Sequence, residues 1–325
     1  FKAFGFGSHV GDGPVLEQPQ ESLTAAQKKK GGKSIMAAAA QLKSTERLAN
    51  GGGAATQPSG VKPQSFTCSD GVTQLPYRVI GTWESEVTCC NFVVVHDLFD
   101  TLEKTEIMFK EVTQRHPGCQ VLIWNYPGQA GTQFGGPTAH VLPNNELVSQ
   151  QLHELLQHVH AQQDMIISSA FHLVGIGNGL SIAAAFATKY GKLTLYKKAM
   201  KSLVSINGFA SVDAQLAAIL HSSIKVFDSF PTHRLDLPVA YFCKFLFSDS
   251  YLEKVGQSLA LNIYSAITNP ISLEGRTMLC KGALAHLDLS SEISQLPLSL
   301  VLLQSTDDLL VNPANVDPFL KVCTR

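Results

Sequence analysis

The chain of 325 residues has almost no charge excess. Its 25 Lys and Arg stand against 26 Asp and Glu, a formal net charge of −1. Such a balance exerts no global pull on nucleic acid or on an anionic membrane surface. No apolar run approaches the ~20 residues needed to cross a bilayer, so no membrane span is expected. The opening residues show no charged segment followed by an apolar one, and no secretory signal is read there. Also lacking is any C-x-x-C spacing. The seven cysteines are dispersed, only Cys89 and Cys90 being adjacent. A metal centre and a disulfide framework are both disfavoured, no cofactor is expected, and a reducing, cytoplasmic setting follows.

What is present is apolar material: 45% of residues are hydrophobic and 16% charged, enough for one large core. The first 62 residues differ from the rest. They hold Lys28-Lys29-Lys30-Gly31-Gly32-Lys33, an alanine run from Ala37 to Ala40, and Gly51-Gly52-Gly53. Too few large apolar residues are present for a core, so residues 1–62 read as a flexible arm. Phe1, Phe4 and Phe6, set between glycines, are candidates for burial against a partner. Gly32-Lys33-Ser34 ends like a phosphate-binding loop, but Gln27 stands where its first glycine is required.

From residue 63 the pattern becomes regular. Ser65–Ser69 and Pro76–Glu84 read as antiparallel strands around Ser69-Asp70-Gly71. Strands are expected at Asn91–Val95, Gln120–Asn125, Phe171–Val174, Ser202–Asn207 and Leu298–Gln304. Amphipathic helices are expected at Glu103–Arg115 and at Asn144–Gln163, the latter with an Asn cap. Residues 211–290 read mostly as helices, at Ala214–Ile224, Val239–Phe247, Ser250–Tyr264 and Gly275–Leu284. The alternation predicts an α/β fold: a mostly parallel sheet with helices on both faces and a helical cap inserted at about 211–290.

Gly175-Ile176-Gly177-Asn178-Gly179 lies between a strand and an Ala-rich helix. It matches the G-x-S-x-G turn that presents a nucleophilic serine, except that glycine occupies the serine position. Three more motifs stand in order around it: His96-Asp97 after the strand Asn91–Val95, Tyr126-Pro127-Gly128-Gln129 after the next, and Ser305-Thr306-Asp307-Asp308 after the last. A dinucleotide-binding turn is excluded because Leu180 replaces the third glycine. Together the four motifs resemble the α/β-hydrolase superfamily. H-D, P-G-Q and G-x-G-x-G resemble within it the N-myc downstream-regulated (NDR) family, an inactive branch.

The resemblance implies that His96, Asp97, Gly177, Asn178 and Asp308 surround a vestigial pocket, Asp308 matching the position of a catalytic acid. The bland readings are a strand-end polar residue for His96 and a turn or cap residue for Asp308. The triad histidine belongs after the last strand, and no His follows His286. Without nucleophile or histidine, the expected function is that of a noncatalytic scaffold or protein-interaction module in a larger assembly, with protein partners and no nucleic acid. The alternatives are a hydrolase with relocated chemistry, for instance a water activated by His96 and Asp97, and a pseudo-hydrolase that senses a small ligand.

Overall fold

In the computed structural model, residues 62–82, 91–134, 141–165, 167, 170–246, 253 and 271–323 are described. All of them fall within the unit spanning 57–325. The arm residues Phe1, Phe4 and Phe6 lie outside the described residues, as does most of the expected helix Ser250–Tyr264.

Seven strands form one sheet: β1 (Gln64–Thr67), β2 (Gln74–Ile80), β3 (Asn91–Val95), β4 (Val121–Trp124), β5 (Phe171–Ile176), β6 (Met200–Ile206) and β7 (Ser299–Leu303). Their order is β1-β2-β4-β3-β5-β6-β7. β1 and β2 pair antiparallel, and β2 meets β4 antiparallel. From β4 through β7 every pairing is parallel. The sequence explains this division. β4 is Val-Leu-Ile-Trp, buried at every position, and β3 is nearly so, as strands covered on both faces require.

The two faces take alternate residues. Val93, Val95, Leu122, Trp124 and Leu173 enter the larger core, packed beneath the helices Asn145–Ala161 and Gly179–Tyr190. Val94, Val121, Ile123 and Val174 enter a smaller core with Leu102, on the helix Leu102–Arg115. Burial of such side chains is worth about 1.5–3 kcal/mol each.

Local signals set most element ends as expected. Asn144 caps its helix, its side chain accepting from Leu147 N at 2.9 Å. Thr101 does the same for Leu102–Arg115. β2 begins two residues earlier than the expected Pro76. Asp70 Oδ1 accepts from Val72 N at 2.9 Å and Thr73 N at 2.8 Å, completing the turn so soon that Gln74 already pairs with Thr67. In the region expected to be a cap, helices occupy Ala214–Ser229, Asp236–Leu246 and Leu273–Leu284. Among the described residues no helix is long and apolar enough to cross a membrane.

Candidate functional site

Four loops leave the same ends of the parallel strands β3, β5, β6 and β7, where open α/β sheets place ligands. They enclose a cavity of about 410 Å³. Its polar wall is built from Asp97, Asn178, Asn207, Ser305, Asp307 and Asp308. Its apolar wall includes Ile176, Ile206 and Phe209, and helices of the expected cap region contribute Leu216, Leu220 and Phe245.

The floor is the turn after β5. Gly177 adopts φ +52°, and its amide donates to Ile206 O at 2.9 Å, tying the turn to β6. The helix then starts directly at Gly179, pressed so close to β3 that a Cβ there would meet Val95 O at 2.0 Å. Strand, left-handed residue and helix thus form the sharp turn expected from the sequence.

The space above Gly177 is filled from another loop. A Cβ built on Gly177 would stand 2.3 Å from Asp97 Oδ1, 2.4 Å from its Cγ and 2.6 Å from its Oδ2. Asp97 Oδ1 accepts from Asn178 N at 2.8 Å and from Leu98 N at 2.8 Å. A carboxylate therefore occupies the volume of the absent nucleophile side chain, held by the two amides best placed to bind an anion beside it. Burial, helped by the neighbouring Asp100, raises the Asp97 carboxyl to about 6, against the opposing pull of the two amides.

His96 is fully buried and forms no part of the cavity wall. Its Nε2 lies 3.0 Å from Asn125 Oδ1, and its Nδ1 lies 3.1 Å from Asp97 O and 3.2 Å from Gln129 Nε2. Burial holds its pKa below the usual imidazole value. The expectation that His96 faces the pocket is thus corrected: both ring nitrogens are committed to holding the loop that carries Asp97. Gln129, from the P-G-Q segment, donates to Asp97 O at 3.0 Å and Leu98 O at 3.3 Å, so that motif also braces the loop.

Asp308 lines the cavity while its Oδ1 accepts from Leu310 N and Val311 N, both at 2.9 Å. It is a turn residue and a wall residue at once. Asn178 lines the cavity too, and its side chain reveals a partner that the sequence did not suggest. His286 Nδ1 accepts from Asn145 N at 3.0 Å, so its Nε2 carries the proton and donates to Asn178 Oδ1 at 2.8 Å. Burial lowers the His286 pKa to about 3, leaving a neutral ring locked at both nitrogens. Asn207, also unforeseen, adopts φ +50° after β6 and accepts from Ser305 N at 2.8 Å, joining two walls of the cavity. Among the described residues no cluster of His, Cys, Asp and Glu has the geometry to hold a metal ion.

No family model matches this sequence, and no curated protein matches it. Solved structures do. One is an α/β-hydrolase enzyme from a deep-sea metagenome library of the Medee basin, at TM-score 0.61 and 19% identity, covering 80% of this chain and 85% of that one. Another is the enol-lactonase of Burkholderia xenovorans, at TM-score 0.60 and 16% identity, covering 80% and 87%. A third comes from a study of carboxylesterases of the thaumarchaeon Nitrososphaera gargenis, at TM-score 0.62 and 11% identity, covering 79% and 87%.

At these identities the likeness establishes the α/β-hydrolase fold. It also corrects the functional expectation. The solved structures it resembles are those of hydrolases and not of an interaction scaffold, which is the finding against the scaffold expectation.

Proposed function

We propose that the chain is a small-molecule hydrolase whose chemistry has moved from the elbow to Asp97. The observation that carries this reading is the Asp97 carboxylate standing over Gly177 at the wall of the cavity, in the volume of the missing nucleophile side chain. Its pKa of about 6 suits a general base near neutral pH. The motif resemblance to the NDR family, whose elbow also lacks a nucleophile, bears on the serine alone. Serine-type catalysis is not what this site performs.

The chemistry balances without a covalent intermediate. Asp97 takes a proton from a water, and the resulting hydroxide adds to the carbonyl of an ester or lactone. As Asp97 becomes neutral, its Oδ1 goes on accepting from the amides of Leu98 and Asn178, which hold the protonated acid in place beside the substrate. Collapse of the tetrahedral intermediate expels the alkoxide, which recovers the proton from Asp97. The substrate class follows the lactonase and carboxylesterase character of the structural neighbours.

The test is a panel of p-nitrophenyl esters and small lactones, assayed from pH 4 to 9. Turnover should rise with a single-proton slope and level off above pH 6. Asp97→Asn keeps the shape and should lower kcat on the order of 100-fold or more. A fluorophosphonate should leave the protein unlabelled. A panel without turnover, or an Asp97→Asn variant as fast as the parent, would remove this reading.

A further inference from the structure

Beyond the reaction, the cavity specifies what kind of molecule it accepts. Ester-hydrolase pockets present backbone amides to negative charge. Here those amides, of Leu98 and Asn178, are already satisfied by Asp97. The wall holds two further carboxylates, Asp307 at the exposed rim and Asp308 half-buried, and no Lys or Arg from the described residues lines it. Lys104, which acts electrostatically on Asp97, is outside the wall and paired with Asp100. Phe209, Phe245, Ile176, Ile206 and Leu216 line the same cavity. An anion entering this cavity would meet like charge, and the amide pair at the elbow is already taken.

We infer that the cavity selects a ligand with an organic cation, of the ammonium type, at one end of a small apolar body. This rests on the reading of the cavity as the substrate site and names its substrate class: a cationic ester or lactone. Carboxylates and aromatic faces together are what recognise a soft, weakly hydrated cation. A metal ion is the poorer complement, because the acids do not converge to a coordination geometry. The volume of about 410 Å³ matches a body of drug-like size or smaller, with the apolar wall taking up its hydrocarbon portion.

Equilibrium binding tests the inference without turnover. Hexyltrimethylammonium, hexanol and hexanoate share one chain length, and the first keeps its charge at every pH. At pH 8 in low salt, calorimetry on the full chain should give the ammonium a Kd about tenfold or more below that of hexanoate, with hexanol between them. The double variant Asp307→Asn/Asp308→Asn should erase most of that preference. The amide that Asp308→Asn introduces retains a side-chain oxygen to accept from Leu310 N and Val311 N, so the turn persists, and a melting curve verifies folding.

Equal binding of the three, tighter binding of hexanoate, or a preference untouched in a folded double variant overturns the inference. The two readings of the site separate cleanly. Selective ammonium binding with no turnover on any ester or lactone upholds the ligand class and sinks the catalytic reading. Turnover without cation preference does the reverse.

Discussion

Glu106 lies on the helix Leu102–Arg115 and Asp97 on the loop just before it, and both are acids lodged against the sheet in opposite surroundings. Glu106 is 2% exposed and ion-paired with Arg78 of β2. Its charge is matched by a cation, and the pair ties the antiparallel edge of the sheet to a helix. Asp97 sits at a cavity wall with two amide donors and, among the described residues, no cation paired with it. A matched buried charge is inert and structural. One held by amide dipoles and not by a paired cation keeps a perturbed affinity for its proton, which is what chemistry near neutral pH requires.

The contrast predicts which side fails more heavily when broken. Glu106→Gln breaks the buried ion pair with Arg78, and removal of one partner of a buried pair costs about 3–5 kcal/mol. Urea unfolding should show a loss of that size while ligand binding in the cavity stays as in the parent. A loss below about 1 kcal/mol would place the pair among solvent-screened contacts and dissolve the contrast.

A smaller loss is expected at the elbow. Gly177→Ser puts a Cβ within 2.3–2.6 Å of the Asp97 carboxyl atoms, and overpacking of this kind costs about 1–3 kcal/mol. Asp97→Gly combined with Gly177→Ser removes the clash, so the double variant should recover part of the loss and display a coupling energy between the positions. The double variant, which lacks the Asp97 base as well, should not react with a fluorophosphonate. His96 and His286, the rings braced around the elbow, have both nitrogens occupied and cannot serve as base to a new serine. Additive stabilities would show that Asp97 and Gly177 do not contend for one space.

The same pairing marks where sequence reading succeeds and stops. The strand β5, the turn at Gly177 and the helix after it were legible because glycine spacing, apolar run and Ala-rich periodicity all lie within about twenty residues of one another. The Asn144 cap was legible for the same reason. Asp97 could be named beside Gly177 as part of one pocket. That its carboxylate lies on the Asn178 amide is a contact across 81 residues, set by the adjacency of β3 and β5, and no local pattern encodes it. His286 illustrates this more sharply. Its bond to Asn178 spans 108 residues and depends on how the helix Leu273–Leu284 packs. His96, conversely, stands in the expected motif yet turns inward, because Asn125 and Gln129 offer its nitrogens partners inside the protein.

The smallest effect concerns the proton on Asp97 and has a definite sign. Its folded pKa of about 6 lies above the ordinary aspartate value near 4. The folded state therefore binds the proton more tightly than the unfolded state does. The stability this confers is fully present below about pH 4 and is lost as pH rises through 6. Asparagine does not titrate, and its side-chain oxygen still accepts from the amides of Leu98 or Asn178. The stability of Asp97→Asn relative to the parent should thus increase between pH 4 and pH 7 and stay level above it. Two pKa units correspond to about 3 kcal/mol, and solvent at the cavity mouth reduces the expectation to about 1–2 kcal/mol. Chemical unfolding of both proteins across that range measures the difference directly. A difference that shrinks as pH rises would mean that the folded state favours the charged carboxylate over the neutral acid. Asp97 would then be a fixed structural anion, like Glu106 in kind, and its assignment as a base would lose its physical ground.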